Sequence, residues 1–174
     1  AGATGGIGSS LVKLLVQSGA EVFITGRNNE KLSNIAATHG IPSSHFLAVD
    51  ISDGTQMGLL ADTVLQQLGT PDILINVAGI GIIKPMEQLS LEDFSKSIQT
   101  NLVGAFLFVK SFLPAMKEAK KGLIINIPGV LGKVPMAGAA AYSASKYGIV
   151  GMMQSISNAG NQINCVIKGA RPLS

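Results

Sequence analysis

Tyr142 and Lys146 stand four positions apart in AAYSASKYG (140–148), a stretch of small and otherwise uncharged residues. On a helix that spacing puts both side chains on one face, about 5–6 Å apart at Cβ. A phenol with a pKa near 10 is a poor proton donor or acceptor at neutral pH. A cation one turn away stabilises the phenolate and moves the pKa toward the working range, so the pair suits proton exchange with a bound oxygen. Two exposed helix residues with no shared task are the plain alternative, and the rest of the chain has to decide between them.

A second cluster opens the chain. AGATGGIGSS sets Gly2, Gly6 and Gly8 just ahead of an amphipathic segment. Glycines let a backbone turn tightly and approach a diphosphate, while the free amides and dipole of a helix start favour the anion. The spacing is Gly-x-x-x-Gly-x-Gly, and the next strand ends about 20 residues on, where an acidic residue would bind an adenosine ribose 2′-hydroxyl. This chain has Gly26 and Arg27 there. Arg27 offers a cationic fork to a 2′-phosphate, which favours NADP over NAD; an exposed loop arginine is the alternative. Asp50 in VDISD falls at a strand's C-terminal end, the edge where ligands of open α/β sheets bind.

Elements must bring these clusters together, and the sequence supplies them by alternation. EVFIT (21–25), FLAVD (46–50), DILINVAG (72–79), GLIINI (122–127) and QINCVI (162–167) read as strands, most with no polar alternation, as in a parallel sheet covered on both faces. Segments 7–19, 29–40, 55–69, 91–119 and 141–157 read as helices between them. Pro114 should bend or end the fourth helix, and Ser90 with Asp93 makes a capping-box pattern at its start. The expected fold is α/β, a doubly wound parallel sheet of Rossmann type, in one domain over residues 1–174. GKVPMAGAAA (132–141) is the long loop of note.

Composition narrows the function classes. A chain of 174 residues, 47% hydrophobic and 13% charged with 21 glycines, builds one compact core with tight turns. Net charge is +3, but the basic residues are scattered apart from KEAKK (117–121), so no nucleic-acid partner is expected. Cys165 is the lone cysteine, suited to a small buried thiol, and cannot form an internal disulfide. His39 and His45 lack neighbours at metal-ligand spacing, so no metal is expected. With no secretory leader or uninterrupted apolar span of membrane length, the expectation is a cytoplasmic protein without a membrane partner.

Taken together, GATGGIG, NVAG (76–79), NLVGAF from Asn101 and YSASK resemble the signatures of the short-chain dehydrogenase/reductase family over nearly the whole chain. The resemblance implies hydride transfer between a nicotinamide cofactor and a small-molecule carbonyl or secondary alcohol, in a homodimer or homotetramer built through the helices at 91–119 and 141–157. It implies that Tyr142 exchanges the proton, that Lys146 holds the nicotinamide ribose and lowers the tyrosine pKa, and that Asn101 supports a water relay to the lysine. The residues it assigns to the cofactor are Gly2, Thr4, Gly6, Ile7 and Gly8 at the glycine motif, then Arg27, Asp50, Ile51, Asn76, Ala78 and Gly79. Tyr142, Lys146 and Gly169 complete the set at the nicotinamide.

The chain also departs from the resemblance. The serine carried thirteen positions before the tyrosine falls on Gly129, preceded by Pro128, so no hydroxyl is available to bond the substrate oxygen. By analogy with a lost oxyanion donor this costs about 10²–10³ in rate, which a water partly offsets. A serine restored at 129 is expected to raise kcat. The alternative function is a nucleotide-binding protein of the same fold without efficient catalysis, a sensor or partner subunit. A purely structural protein leaves the coincidence of Tyr142, Lys146 and Asn101 unexplained. Val77 stands for the second asparagine of the signature, and Lys168 for the usual proline before Gly169. The interval from Tyr142 to Asn164 is short by about four residues, roughly one helical turn. A strand should precede the glycine turn and further chain should follow GARPLS, so the domain is expected to be incomplete at both ends; were the chain whole, the missing strand's neighbours would carry unpaired backbone groups.

Overall fold

The computed structural model describes residues 1–158 and 164–167. Strands β1 (Ile24–Gly26), β2 (Phe46–Ala48), β3 (Ile73–Asn76), β4 (Leu123–Asn126) and β5 (Asn164–Ile167) alternate with helices. The helices are α1 (Gly6–Gln17), α2 (Asn29–His39), α3 (Gly54–Leu68), α4 (Leu91–Ser97), α5 (Gly104–Glu118) and α6 (Ala140–Asn158). Every ladder is parallel, with β1 beside β2 and β3–β4–β5 in a second sheet whose register aligns Ile73, Leu123 and Asn164. This is the expected Rossmann-like α/β fold. The ladder of β2 stops at Ala48 and that of β3 at Asn76, short of their apolar runs, which go on into Val49–Asp50 and Val77–Gly79 outside regular strand.

Local chemistry sets the helix ends. The Asn28 side chain accepts the Lys31 amide at 2.8 Å to start α2, and Gly40, at φ 68°, closes it in the left-handed region. Asp53 accepts the Thr55 and Gln56 amides to start α3. At α4 the expected capping box forms between Ser90 and Asp93, and Asp93 also pairs with Lys84 at 2.6 Å.

The helix from Leu91 runs through a π-helical segment, Ile98–Val103, into α5 without a break. Of the two outcomes expected of Pro114, an end to the helix does not occur: it lies inside α5 on the exposed face, where water can satisfy the carbonyl that loses an amide partner. Within the continuous helical stretch Leu91–Glu118, of 28 residues, an 18-residue window reaches a mean hydropathy of 1.2, enough to pass a length-and-composition test for a membrane span that core helices also pass. Part of that apolar content belongs to the core, through Phe108, Val109, Phe112 and Met116.

The main core joins these residues to Met57, Leu60 and Val64 of α3, Leu74 of β3, Ile124 of β4, and Ile149 and Met153 of α6. A smaller core packs Val12 of α1 with Ile24, Leu32 and Ala36. Each such large side chain contributes about 1.5–3 kcal/mol on burial. Between the two sheets lies a cavity of about 370 Å³ walled by β1, β3, α1 and Phe108. Its end is bridged by backbone bonds: Ala1 donates to the Ile75 carbonyl at 2.6 Å, Val77 donates to that of Ala1 at 3.1 Å, and Gly2 and Ala3 donate to that of Thr25 at 3.0 Å.

Candidate functional site

The glycine turn straddles the C-terminal ends of β1 and β3 through those bonds. Two of its glycines are fixed by packing. A Cβ at Gly2, whose φ is +84°, would come within 2.6 Å of the Ala78 amide nitrogen, and one at Gly8 within 2.1 Å of the Gly2 carbonyl oxygen. Gly6 is different: a Cβ there would meet no protein atom within 4 Å. Gly5 caps α1 without any side-chain bond, so the first amides of the helix are left without side-chain partners beside an open face. Those free donors and that open face fit a diphosphate.

A cavity of about 210 Å³ begins at this turn and has Gly2, Thr4, Arg27, Asp50, Ile51, Ala78 and Gly79 on its walls. Asn76, expected beside them, does not line it. That side chain is buried under the turn, donating to Asn126 Oδ1 at 2.9 Å and accepting the Ala78 amide at 3.0 Å, because two parallel strand ends need their buried amides satisfied. The Asp50 carboxylate accepts the Ser52 hydroxyl at 2.6 Å and the Ser52 amide at 2.9 Å, bonds that hold its pKa below the usual carboxylate range. At the strand end, a Cβ on Gly26 would approach Thr4 Oγ1 at 3.1 Å, so an acidic side chain there would crowd the glycine turn. Arg27 is exposed at the rim.

At the other end of the site, α6 brings Tyr142 and Lys146 onto one face, with Lys146 Nζ 5.3 Å from the Tyr142 ring centroid. Lys146 is only 3% exposed, and burial lowers its pKa to about 8. Burial raises the Tyr142 pKa, opposite to the expected direction, since removing the phenol from water disfavours its phenolate. No carboxylate pairs with Lys146 among the described residues, where the ion pairs are Lys84–Asp93 and Lys121–Asp72.

The two ends meet at Gly79. A Cβ on this residue would lie 3.0 Å from Asn101 Oδ1 and 3.1 Å from Lys146 Nζ, so the turn after β3, the π-helical segment and α6 converge at the cavity wall. Asn101 is fully buried. Its Oδ1 accepts the Ile80 amide at 2.8 Å, and its Nδ2 donates to the Ile80 carbonyl at 3.0 Å and to Ser145 Oγ at 2.9 Å. Ile80 and Ser145 went unmarked in the sequence. Their one signal there was proximity, since Ile80 follows NVAG and Ser145 lies inside YSASK.

Gly129 takes φ 76° and ψ −174°, a conformation essentially confined to glycine, at the entry to a short turn (Val130–Gly132). A Cβ there would meet no atom within 4 Å. Space is free for a serine, but its backbone would be strained, so the expected gain in kcat from restoring the hydroxyl meets a conformational obstacle. Beyond it, the Lys84 backbone amide donates to the Gly138 carbonyl at 2.8 Å and the Tyr147 hydroxyl to that of Lys133 at 2.5 Å. These bonds hold a rim on which Ile83, Met86, Val134 and Met136 are at least half exposed. Gly169 lies outside the described residues.

Comparison with known proteins agrees with this geometry. Residues 1–172 match the family model described as short chain dehydrogenase. D-threitol dehydrogenase of Mycolicibacterium smegmatis is 33% identical over 153 residues, 87% of this chain and 59% of its own length. A 2-dehydro-3-deoxy-L-rhamnonate dehydrogenase (NAD(+)) of Sphingomonas is 33% identical over 156 residues, 89% of this chain and 62% of its own length. The chain thus spans about 60% of these relatives. A metagenomic short-chain oxidoreductase solved in complex with NADP superposes with a TM-score of 0.91 at 32% identity, covering 99% of this chain and 80% of that one.

Proposed function

The chain belongs to the short-chain dehydrogenase family, and from that premise we propose that it is an NADP-dependent oxidoreductase acting on a small-molecule carbonyl or secondary alcohol. The observation that carries the proposal is the buried Lys146 ammonium against the face of Tyr142, at a wall shared with a glycine-lined cavity. The nicotinamide cofactor, when bound, supplies or accepts the hydride. The Tyr142 hydroxyl gives a proton to the substrate oxygen in reduction and takes it in oxidation. Lys146 supplies positive charge beside the phenolate and a donor for the cofactor ribose, while Asn101 fixes the turn at Ile80 against α6. The open face at Gly6 and the uncapped start of α1 accept the diphosphate.

Arg27 at the rim, with Gly26 pressed against Thr4 where an acidic residue would select NAD, supports the 2′-phosphate form of the cofactor. Exposed Leu91, Phe94 and Phe106 on the long helix support assembly into a homo-oligomer, dimer or tetramer. Gly129 favours a second reading, a cofactor-binding protein of low catalytic power, because it offers no hydroxyl to the substrate oxygen. Titrating NADPH and NADH by nicotinamide fluorescence and following turnover of a ketone and alcohol panel tests both. The first reading expects tight NADPH binding and turnover; binding without turnover supports the second, and no binding overturns both.

A further inference from the structure

Building on that oxidoreductase reading, we propose that Ser145 is a positioning residue whose hydroxyl ties Asn101, and through it the turn at Ile80, to the helical turn that carries Tyr142. Ser145 Oγ accepts from Asn101 Nδ2 at 2.9 Å and donates to the Tyr142 carbonyl at 2.7 Å. Asn101 in turn holds both backbone groups of Ile80. A buried chain of bonds therefore runs from the cofactor-side turn to the residue in contact with the reacting oxygen, and its members are 21 and 44 residues apart in sequence.

Burial alone does not explain the bond. Ser97, Ser143 and Ser145 are all buried near this junction, yet the hydroxyls of Ser97 and Ser143 have no hydrogen-bond partner. Ser145 alone of the three is bonded, and on both sides. The Asn101 amide also faces Lys146 Nζ across Gly79 with its Oδ1. Deleting the Ser145 oxygen leaves Nδ2 one acceptor, the Ile80 carbonyl, and removes the restraint that ties Asn101 to α6. The turn at Ile80 then moves independently of Tyr142, and Oδ1 moves relative to the lysine. A lost buried acceptor of this kind is worth about a tenfold effect.

The test compares Ser145→Ala with Ser143→Ala, which removes an unbonded hydroxyl two residues away on the same helix. Ser145→Ala is expected to speed amide exchange at Ile80 by about tenfold and to lower kcat by a similar factor, with KM and NADPH affinity within about threefold. Ser143→Ala should change none of these. In a double-mutant cycle, Asn101→Ala combined with Ser145→Ala should be no worse than Asn101→Ala alone, because one acts through the other. Additive losses, or exchange that rises equally at every amide, overturn the proposal. If Ser145→Ala does not fold, Ser145→Cys keeps the volume with a weaker acceptor and is read the same way. Failure of the unmutated chain to bind NADPH would sink the oxidoreductase reading, while exchange at Ile80 would still decide whether Ser145 positions Asn101.

Discussion

The glycine turn and the Tyr142 junction impose opposite demands on the sequence. At the turn, residues are chosen for what they lack: a side chain at Gly2 or Gly8 collides with backbone, and one at Gly6 would occupy space that no protein atom fills. At the junction, residues are chosen for what they hold: Asn101 and Ser145 are conspicuous for their partners, not for their place in the chain. Steric exclusion is local and shows in a sequence as a spacing, whereas a bond between positions 44 apart shows only once the helices are packed.

Substitutions that separate these two logics sharpen the contrast. The largest effect is expected at the junction: Tyr142→Phe should reduce carbonyl turnover by about 10²–10⁴-fold with NADPH titration unchanged, and activity surviving it would remove the phenol from the chemistry. Next comes the turn. Gly8→Ala should destabilise by about 3 kcal/mol or more, the scale of overpacking a rigid backbone, whereas Gly6→Ala should melt within about 0.5 kcal/mol of the parent yet bind NADPH more weakly. Equal losses at the two positions would erase the distinction drawn between a packing glycine and a ligand glycine. Arg27→Ala should weaken NADPH by about tenfold, the loss of a charged hydrogen bond, and leave NADH unchanged in the same fluorescence titration.

Two smaller tests concern the junction. Lys146 has its folded pKa lowered to about 8 from 10.5, so between those values the unfolded chain binds the extra proton. The destabilisation from this group is fully present below about pH 8 and is relieved as pH rises toward 10.5. Denaturant midpoints should therefore gain a rising contribution with pH that Lys146→Met removes; an identical profile in the variant would show that the ammonium is not desolvated. Gly129→Ser should lose about 1–3 kcal/mol of stability to backbone strain without the full rate gain of an added oxyanion donor. A faster enzyme that melts unchanged would mean that the backbone relaxes and the hydroxyl reaches the substrate oxygen.

What could be read beforehand follows the same division. Apolar runs located the strands found among the described residues, and the capping pattern at Ser90 set the start of α4, because alternation and local hydrogen bonding are properties of neighbours. Asn101 was marked, yet its partners Ile80 and Ser145 were not, since nothing local distinguishes them. The Asn76 amide is bonded beneath the turn to Asn126, a residue 50 positions away that no local pattern links to it. The Tyr142 pKa was expected to fall because a cation was countable in the sequence, while the loss of water around the phenol was not. Pro114 could bend or end its helix, and the end was avoided on a face open to solvent, which composition alone does not reveal.

The glycine turn gives the entrance of the cleft a mechanical part as well. Ala1, Gly2 and Ala3 span it by grasping Thr25 on one bank and Ile75 and Val77 on the other. A dinucleotide held by that loop would bind the folded state alone, so resistance to unfolding would climb with the logarithm of its free concentration. The protein would be harder to unfold when loaded, through contacts made only in the folded chain.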